Sequence, residues 1–312
     1  MRIAVMGAGA IGGYYGALLQ QAGHQVVFIA RGAHLEAMQR QGLVIDSVNG
    51  SFHLARVEAT GDPAAVGPVD LVLFCVKSQD TRQAAEQCRP LVGPRTAVLT
   101  LQNGVENHLI LAEVLGRQHV LAGSCRISAT IAEPGVIRQP SPFRNVTFAE
   151  LDGSRSARAE AILAAFEQAG IPTEVSDDAD RVLWEKFLFL APLAGVTAVT
   201  LAPVGAVRDT PAAWDLLVEA VQEVDRVGRA RGVNLPADAV ERTLDTVRRA
   251  PAGMKSSMQQ DREKGRYLEV DALNGAVVRL GAEAGVPTPV HRYLHACLAV
   301  HNTMVRGGTG QS

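Results

Sequence analysis

Apolar positions along this chain fall in two arrangements, and the change between them divides it. In the first half they form short runs. Residues 3–6, 25–30 and 69–76 read as strands, and the near-continuous apolarity of V-D-L-V-L-F-C-V in the third suits a parallel sheet covered on both faces. Residues 96–101, 120–125, 135–138, 145–148 and 172–175 read as further strands. Helical spacing marks residues 12–21, 81–91, 105–115 and 157–169, the last stopped by Gly170. Asn49-Gly50 predicts a hairpin-like turn within residues 43–53. From Asp177 strand signals cease. A helix over residues 180–201, kinked or broken near Pro192, is followed by helices over 212–231, 237–248, 256–264, 268–284 and 290–305, with residues 306–312 expected to be disordered. The pattern predicts an α/β fold: a doubly wound domain over residues 1–176 and an all-helical domain over 177–312.

The first strand, turn and helix carry the clearest chemistry. Gly7, Gly9 and Gly12, with Ala8, Ala10 and Ile11 between them, form G-x-G-x-x-G in strand–turn–helix–strand order. That is the dinucleotide fingerprint of a Rossmann-type domain, in which glycines let the backbone approach a pyrophosphate at a helix N-terminus. At the end of the second strand, where an NAD site places an acid, the chain has Ala30-Arg31. Arginine pairs with a 2′-phosphate, which favours NADP(H); a solvated surface arginine is the alternative. Lys77 and Asn103 fall at further strand ends and should face the same crevice, although a solvated lysine and a plain turn asparagine account for them as well.

Composition narrows the remaining classes. Thirty basic and 32 acidic residues give a net charge of −2, too even to gather nucleic acid or an anionic membrane. The four cysteines are scattered without a C-x-x-C pair, as in a cytoplasmic protein with reduced thiols, and the chain enters a strand too early for a signal peptide. Residues 187–207 lack charge and are long enough to cross a bilayer, but two prolines and two glycines interrupt them, and a buried helix between domains explains them better.

In the helical half, Lys186 opens that uncharged run. Burial weakens a lysine's hold on its proton and suits it to general acid work, while snorkelling at a helix end is the blander reading. Within K-S-S-M-Q-Q-D-R-E-K-G-R-Y-L-E-V-D-A-L-N-G, Ser256 with Gln259 or Ser257 with Gln260 fits a capping box. Glu269 is expected in the first turn of the next helix, where a carboxylate suits the helix dipole. His291 and His295 share a helix face but lack a third ligand of suitable spacing, so no metal is expected.

These motifs together resemble the 2-dehydropantoate 2-reductase (ketopantoate reductase) family over nearly the whole chain: G-A-G-A-I-G at Gly7, Arg31, V-K-S-Q-D at Lys77, Q-N-G at Asn103, W-E-K at Lys186, and S-S-M-Q-Q-D followed by E-V-D-A-L-N-G. The resemblance implies reduction of a 2-oxo acid by NADPH on the route to pantothenate and coenzyme A. It makes Lys186 the catalytic acid and Glu269 a partner of lysine, cofactor and substrate. Ser257 would hold the substrate carboxylate, Asn103 would bridge cofactor and substrate, and Lys77 and the loop around Ala129 would contact NADP. The partner is a small 2-oxo acid; a homodimer is compatible with the resemblance.

One departure stands out. Where the family's lysine helix carries two substrate-binding asparagines, this chain has Leu190 and Ala194, four and eight residues after Lys186. A more apolar 2-oxo acid is therefore an alternative substrate. The residues also admit another two-domain hydroxyacid or opine-type dehydrogenase, or a non-catalytic NADP-binding redox sensor.

Overall fold

In a computed structural model describing residues 1–308, the chain divides into two compact units. The first comprises Met1–Gln102 with Asn107–Val182; the second takes Asn103–Glu106 together with the described residues from Leu183 onward. The first unit opens with β1 (Arg2–Met6), α1 (Ala10–Gln21), β2 (Gln25–Ile29) and α2 (Gly32–Gln41). β3 (Leu43–Ser47), β4 (Phe52–Leu54), β5 (Glu58–Thr60), β6 (Leu71–Phe74), α3 (Thr81–Cys88), β7 (Ala97–Thr100) and α4 (Asn107–Leu115) follow. It continues through β8 (Val120–Ile127), β9 (Thr130–Glu133), β10 (Val136–Gln139), β11 (Arg144–Glu150), α5 (Ala157–Gln168) and β12 (Thr173–Val175).

Eight strands make the main sheet in the order β12-β11-β8-β7-β6-β1-β2-β5. It is parallel from β8 to β5, and β11 pairs antiparallel with β8. Side chains alternate across it even though both faces are apolar. Ile3, Val5, Phe28, Leu71 and Leu73 enter one buried cluster; Ala4, Met6, Val27, Ile29, Val72 and Phe74 enter the other. From β1 the chain moves outward to β2 and β5, then returns to β6 and proceeds the other way. The direction therefore reverses between β1 and β6, the place where such sheets bind ligands. A second sheet, β4-β3-β10-β9, lies against α1, where the absence of a Cβ on Gly13 makes room for Ile137.

The long α6 (Ala179–Thr200) begins in the first unit and continues into the second. There follow α7 (Val204–Asp209), α8 (Pro211–Ala230), α9 (Ala239–Arg249), α10 (Ser257–Glu263), α11 (Asn274–Glu283) and α12 (Pro289–Gly308). Leu193, Val196, Val204, Val207, Leu217, Ala220, Val247, Val290 and Leu294 form one buried apolar cluster of this unit. Glu223 on α8 is buried at the start of α12. It accepts from the N–H groups of Val290 (2.8 Å) and His291 (3.0 Å) and from His291 Nδ1 (2.8 Å). A carboxylate in that place satisfies helix-terminal donors and complements the helix dipole.

Several expectations from the sequence need correction. α6 runs through Pro192 unbroken, because packing that buries 72% of its most apolar window holds it against the lost backbone bond. It is long and apolar enough to span a membrane by length and composition, yet mostly buried within the protein. The helix expected over residues 268–284 begins at Asn274; Glu269 to Leu273 form turns in which the Glu269 carbonyl accepts from both Ala272 and Leu273. α12 includes Arg306, whose guanidinium reaches the Tyr267 hydroxyl at 2.5 Å, so disorder does not begin there; residues 309–312 lie outside the described residues. The sequence also concealed α2, α7, β5 and β9. The last two have few buried apolar side chains to announce them.

Buried histidines give the fold an acid limit. His108 on α4 is 5% exposed with Nδ1 unpartnered. Burial pushes its pKa down to about 4, against an opposing pull from Asp180 and with help from Arg117. The unfolded chain therefore takes up this proton first, as pH falls through about 6.5, and stability is lost from there down to the folded value. A His108→Gln variant should lose on the order of 3 kcal/mol less stability than the parent between about pH 8 and pH 4 in denaturant titrations. Parallel losses in the two proteins would contradict this.

Candidate active site

The turn after β1 is built from glycines that serve it in different ways. Gly7 has φ +90°, and a Cβ there would lie 2.8 Å from the Val76 backbone nitrogen. A Cβ on Gly12 would lie 2.5 Å from the Gly7 carbonyl oxygen. Gly9 differs: nothing lies within 4 Å of its Cβ position. It is the N-cap of α1, which has no side-chain cap and no acid in its first turn. The turn thus leaves open space beside the positive end of a helix, a cradle of the shape and polarity that a pyrophosphate fits. Ala8, Ala10 and Ile11 complete this stretch.

Arg31 directly follows β2 and Ala30 as the exposed N-cap residue of α2, with its guanidinium donating to Gln87 Oε1 at 2.8 Å. No carboxylate is interposed between it and the strand end. Lys77 is exposed after β6, at the start of a short turn. Ala129 is half-buried between β8 and β9. What shapes the Lys77 loop went unread in the sequence. Gln102, buried after β7, donates to the Val76 carbonyl (3.1 Å) and to Thr81 Oγ1 (2.8 Å), and Thr81 donates to the Ser78 carbonyl (2.8 Å). A glutamine closing an apolar strand beside Asn103-Gly104 was the one signal, since a buried amide needs several partners.

The second unit brings together Lys186 and Asn103. Lys186 is half-buried on α6 and donates from Nζ to Asn103 Oδ1 at 2.9 Å. An ammonium has three N–H donors, so one such bond orients it and does not exhaust it. The loop that carries Asn103 is tied to the same unit through Glu106, paired with Arg279 on α11 at 2.7 Å. Leu190 and Ala194 lie on the Lys186 side of α6 by helical spacing; Leu190 is partly exposed and Ala194 fully buried.

Glu269 is 8% exposed in its turn, not in a helix N-terminus. The residue before it is held by Asn302 on α12, whose side chain accepts from Leu268 N–H (2.8 Å) and donates to the Leu268 carbonyl (2.9 Å). Of the two capping-box registers, Ser256 is the N-cap of α10, accepting from Gln259 N–H at 3.1 Å. Its hydroxyl also lies 2.7 Å from Thr197 Oγ1 on α6. Ser257 is thereby left exposed at the first position of the helix. His291 is bound to Glu223 and His295 to Asp271, and the described residues contain no cluster of three or more metal-ligating side chains.

Comparison with known proteins gives a consistent answer. A sequence model of the family described as "Ketopantoate reductase PanE/ApbA" matches residues 3–153, and that of its C-terminal part matches residues 178–302. A 2-dehydropantoate 2-reductase of Halobacterium salinarum is 34% identical over 299 residues, covering 94% of this chain and 96% of that protein. The crystal structure of a PanE/ApbA family ketopantoate reductase from Ralstonia eutropha JMP134 superposes with TM-score 0.91 at 35% identity, covering 98% of this chain and 100% of that chain. A D-mandelate dehydrogenase solved with NADH and anilino(oxo)acetate, 21% identical with TM-score 0.90 over 98% of this chain and 100% of that chain, shares the fold.

The glycines should separate by experiment. Gly12→Ala forces a Cβ against a backbone oxygen and should lower the melting temperature sharply or prevent folding. Gly9→Ala fills open space and should change stability by less than about 1 kcal/mol while weakening dinucleotide binding in a fluorescence titration. Unchanged binding by folded Gly9→Ala protein would refute the cradle.

Proposed function

The chain belongs to the ketopantoate reductase family, and from that premise we propose that it reduces 2-dehydropantoate to pantoate with NADPH. The observation carrying this reading is the Lys186–Asn103 hydrogen bond, which aims an ammonium group from a buried apolar helix at the amide following β7. The oxidoreductase family and the nucleotide-binding fold set the reaction class, and the two units divide the work. In this division residues 1–176 bind the cofactor and residues 177–312 carry substrate and catalysis.

Gly7 to Gly12 would hold the pyrophosphate, Arg31 the 2′-phosphate, and Lys77, Asn103 and the Ala129 loop the remainder of the cofactor. Bound nicotinamide supplies the hydride for the keto carbon. Lys186 polarises the substrate carbonyl and protonates the oxygen on which negative charge develops, where a fixed donor acts most strongly. Asn103 holds the lysine and bridges cofactor and substrate. Glu269 accepts from lysine, cofactor or substrate, and Ser257 donates to the substrate carboxylate. A cytoplasmic location goes with this reading.

A second reading concerns the substrate alone. Leu190 and Ala194 offer no hydrogen bond along the Lys186 side of α6, which favours an unhydroxylated branched 2-oxo acid over one bearing a hydroxyl.

Steady-state kinetics with NADPH should give turnover on 2-dehydropantoate, and Lys186→Ala should lower kcat by about 10²- to 10⁴-fold with NADPH binding retained. Full function in that variant would point to a redox sensor, and a kcat/KM higher for unhydroxylated 2-oxo acids would favour the second reading. Arg31→Ala should raise the KM for NADPH roughly 10- to 100-fold and leave that for NADH nearly unchanged, from the usual strength of a charge-assisted bond. Equal effects on both would assign Arg31 to the surface.

A further inference from the structure

α6 has a weak point in its middle. Pro192 lacks an N–H, so the Leu188 carbonyl loses its helical donor in the stretch that follows Lys186. Side chains of the helix itself and of a neighbouring segment tie it on the far side of this point. Thr197 donates to the Leu193 carbonyl at 2.7 Å and contacts Ser256, and Arg262 donates to the carbonyls of Ala198 and Val199. A different tie acts closest to the proline: Asn274 Nδ2 donates to the Ala191 carbonyl at 3.0 Å. Because a carbonyl oxygen only accepts, this bond fixes which end of the amide faces α6.

Three observations set Asn274 apart from an ordinary helix residue. It is 0% exposed, and its Oδ1 has no partner among the described residues. A Cβ on Gly195 would lie 2.5 Å from Asn274 Nδ2 and 2.9 Å from Leu294 Cδ1, so the amide reaches α6 only because residue 195 is glycine. Finally, Asn274 is the first residue of α11, directly after the turn segment that carries Glu269, whose other side is held by Asn302 at Leu268. The tie therefore joins the segment bearing Glu269 to the helix bearing Lys186, next to the one residue at which that helix has lost a backbone bond.

We propose that Asn274 is a positioning residue: by bonding the Ala191 carbonyl across Gly195, it fixes the offset between Glu269 and Lys186 required for proton delivery. The inference rests on the assignment of Lys186 and Glu269 to the reaction. A buried tie of this kind acts on geometry, and a displacement of about 1 Å between reacting groups can cost on the order of 10²-fold in rate.

The test uses full-length Asn274→Ala, Gly195→Ala, the double variant and Lys186→Ala. Folded Asn274→Ala should lose roughly 10- to 100-fold in kcat, with its KM for the 2-oxo acid and its Kd for NADPH within about twofold of the parent. Gly195→Ala should show the same split, because its added Cβ displaces the amide. In the Asn274→Ala background the same substitution should cost little more in kcat, because the amide it would displace is gone and only the end of the Leu294 side chain is left to give way. A lowered melting temperature with kcat within twofold of the parent would show Asn274 to be structural only and overturn the proposal, as would additive losses in the double variant. Should Asn274→Ala fail to fold, Gly195→Ala decides by the same split of kcat against KM. Lys186→Ala tells the two levels apart: full turnover there overturns the assignment of the site, whereas unimpaired Asn274→Ala enzyme beside inactive Lys186→Ala overturns the tie alone.

Discussion

Where the first helix can begin is set by one carbonyl oxygen. The Gly7 carbonyl occupies the space a Cβ on residue 12 would need, and the Val76 backbone crowds residue 7 in turn. These approaches bring the N-terminus of α1 to the carboxyl edge of the sheet between β1 and β6, where strand order reverses. Arg31, after β2, and Lys77, after β6, then lie at the carboxyl ends of the two strands that flank β1 on either side. No further device is needed to gather the glycine turn, Arg31 and Lys77 there. The parallel register does it, once the first turn is closed this tightly.

The helical unit applies the same economy to polar groups. Glycine at 195 lets an amide approach a helix backbone, much as glycine at 12 lets a helix approach a strand turn. Buried polar side chains in this unit mostly bond to main chain. Glu223 takes the first N–H groups of α12, Asn302 takes both backbone groups of Leu268, and Asn274 takes the Ala191 carbonyl. Each bond removes the cost of a buried unpaired group and fixes an offset between two segments. Apolar packing alone would fix that offset less sharply, since it has no preferred direction.

What could be read in the sequence follows from how local its cause is. The strands of the main sheet announce themselves by burial on both faces, and the fingerprint glycines by spacing. β5 and β9 did not, because Glu58-Ala59-Thr60 and Thr130 to Glu133 expose much of their surface; β5 owes its pairing to β2, remote in sequence, whereas β9 is the exposed arm of a hairpin with β10. The expected start of α11 failed for a related reason. Residues 268–273 have acceptable helical spacing, but Asn302, more than thirty positions later, claims the Leu268 backbone first. At the site, Lys186 was distinguished by the charge-free run it opens and by the resemblance of its surroundings. Gln102 and Asn274 escaped notice because an amide destined for burial looks, in one dimension, like a turn residue.

The bidentate grip of Asn302 on Leu268 has a consequence for redesign. It offers that residue the pair of bonds a neighbouring strand would offer, so Leu268, just before Glu269, is saturated without being helical. Substitutions chosen to strengthen helix propensity at residues 266–272 would ordinarily be expected to stabilise a protein. Here they would favour a conformation in which the Leu268 carbonyl turns inward and one amide of α12 is stranded without a partner. Engineers seeking heat tolerance would do better to leave this stretch irregular and to place stronger helix formers on the exposed faces of α8 and α9.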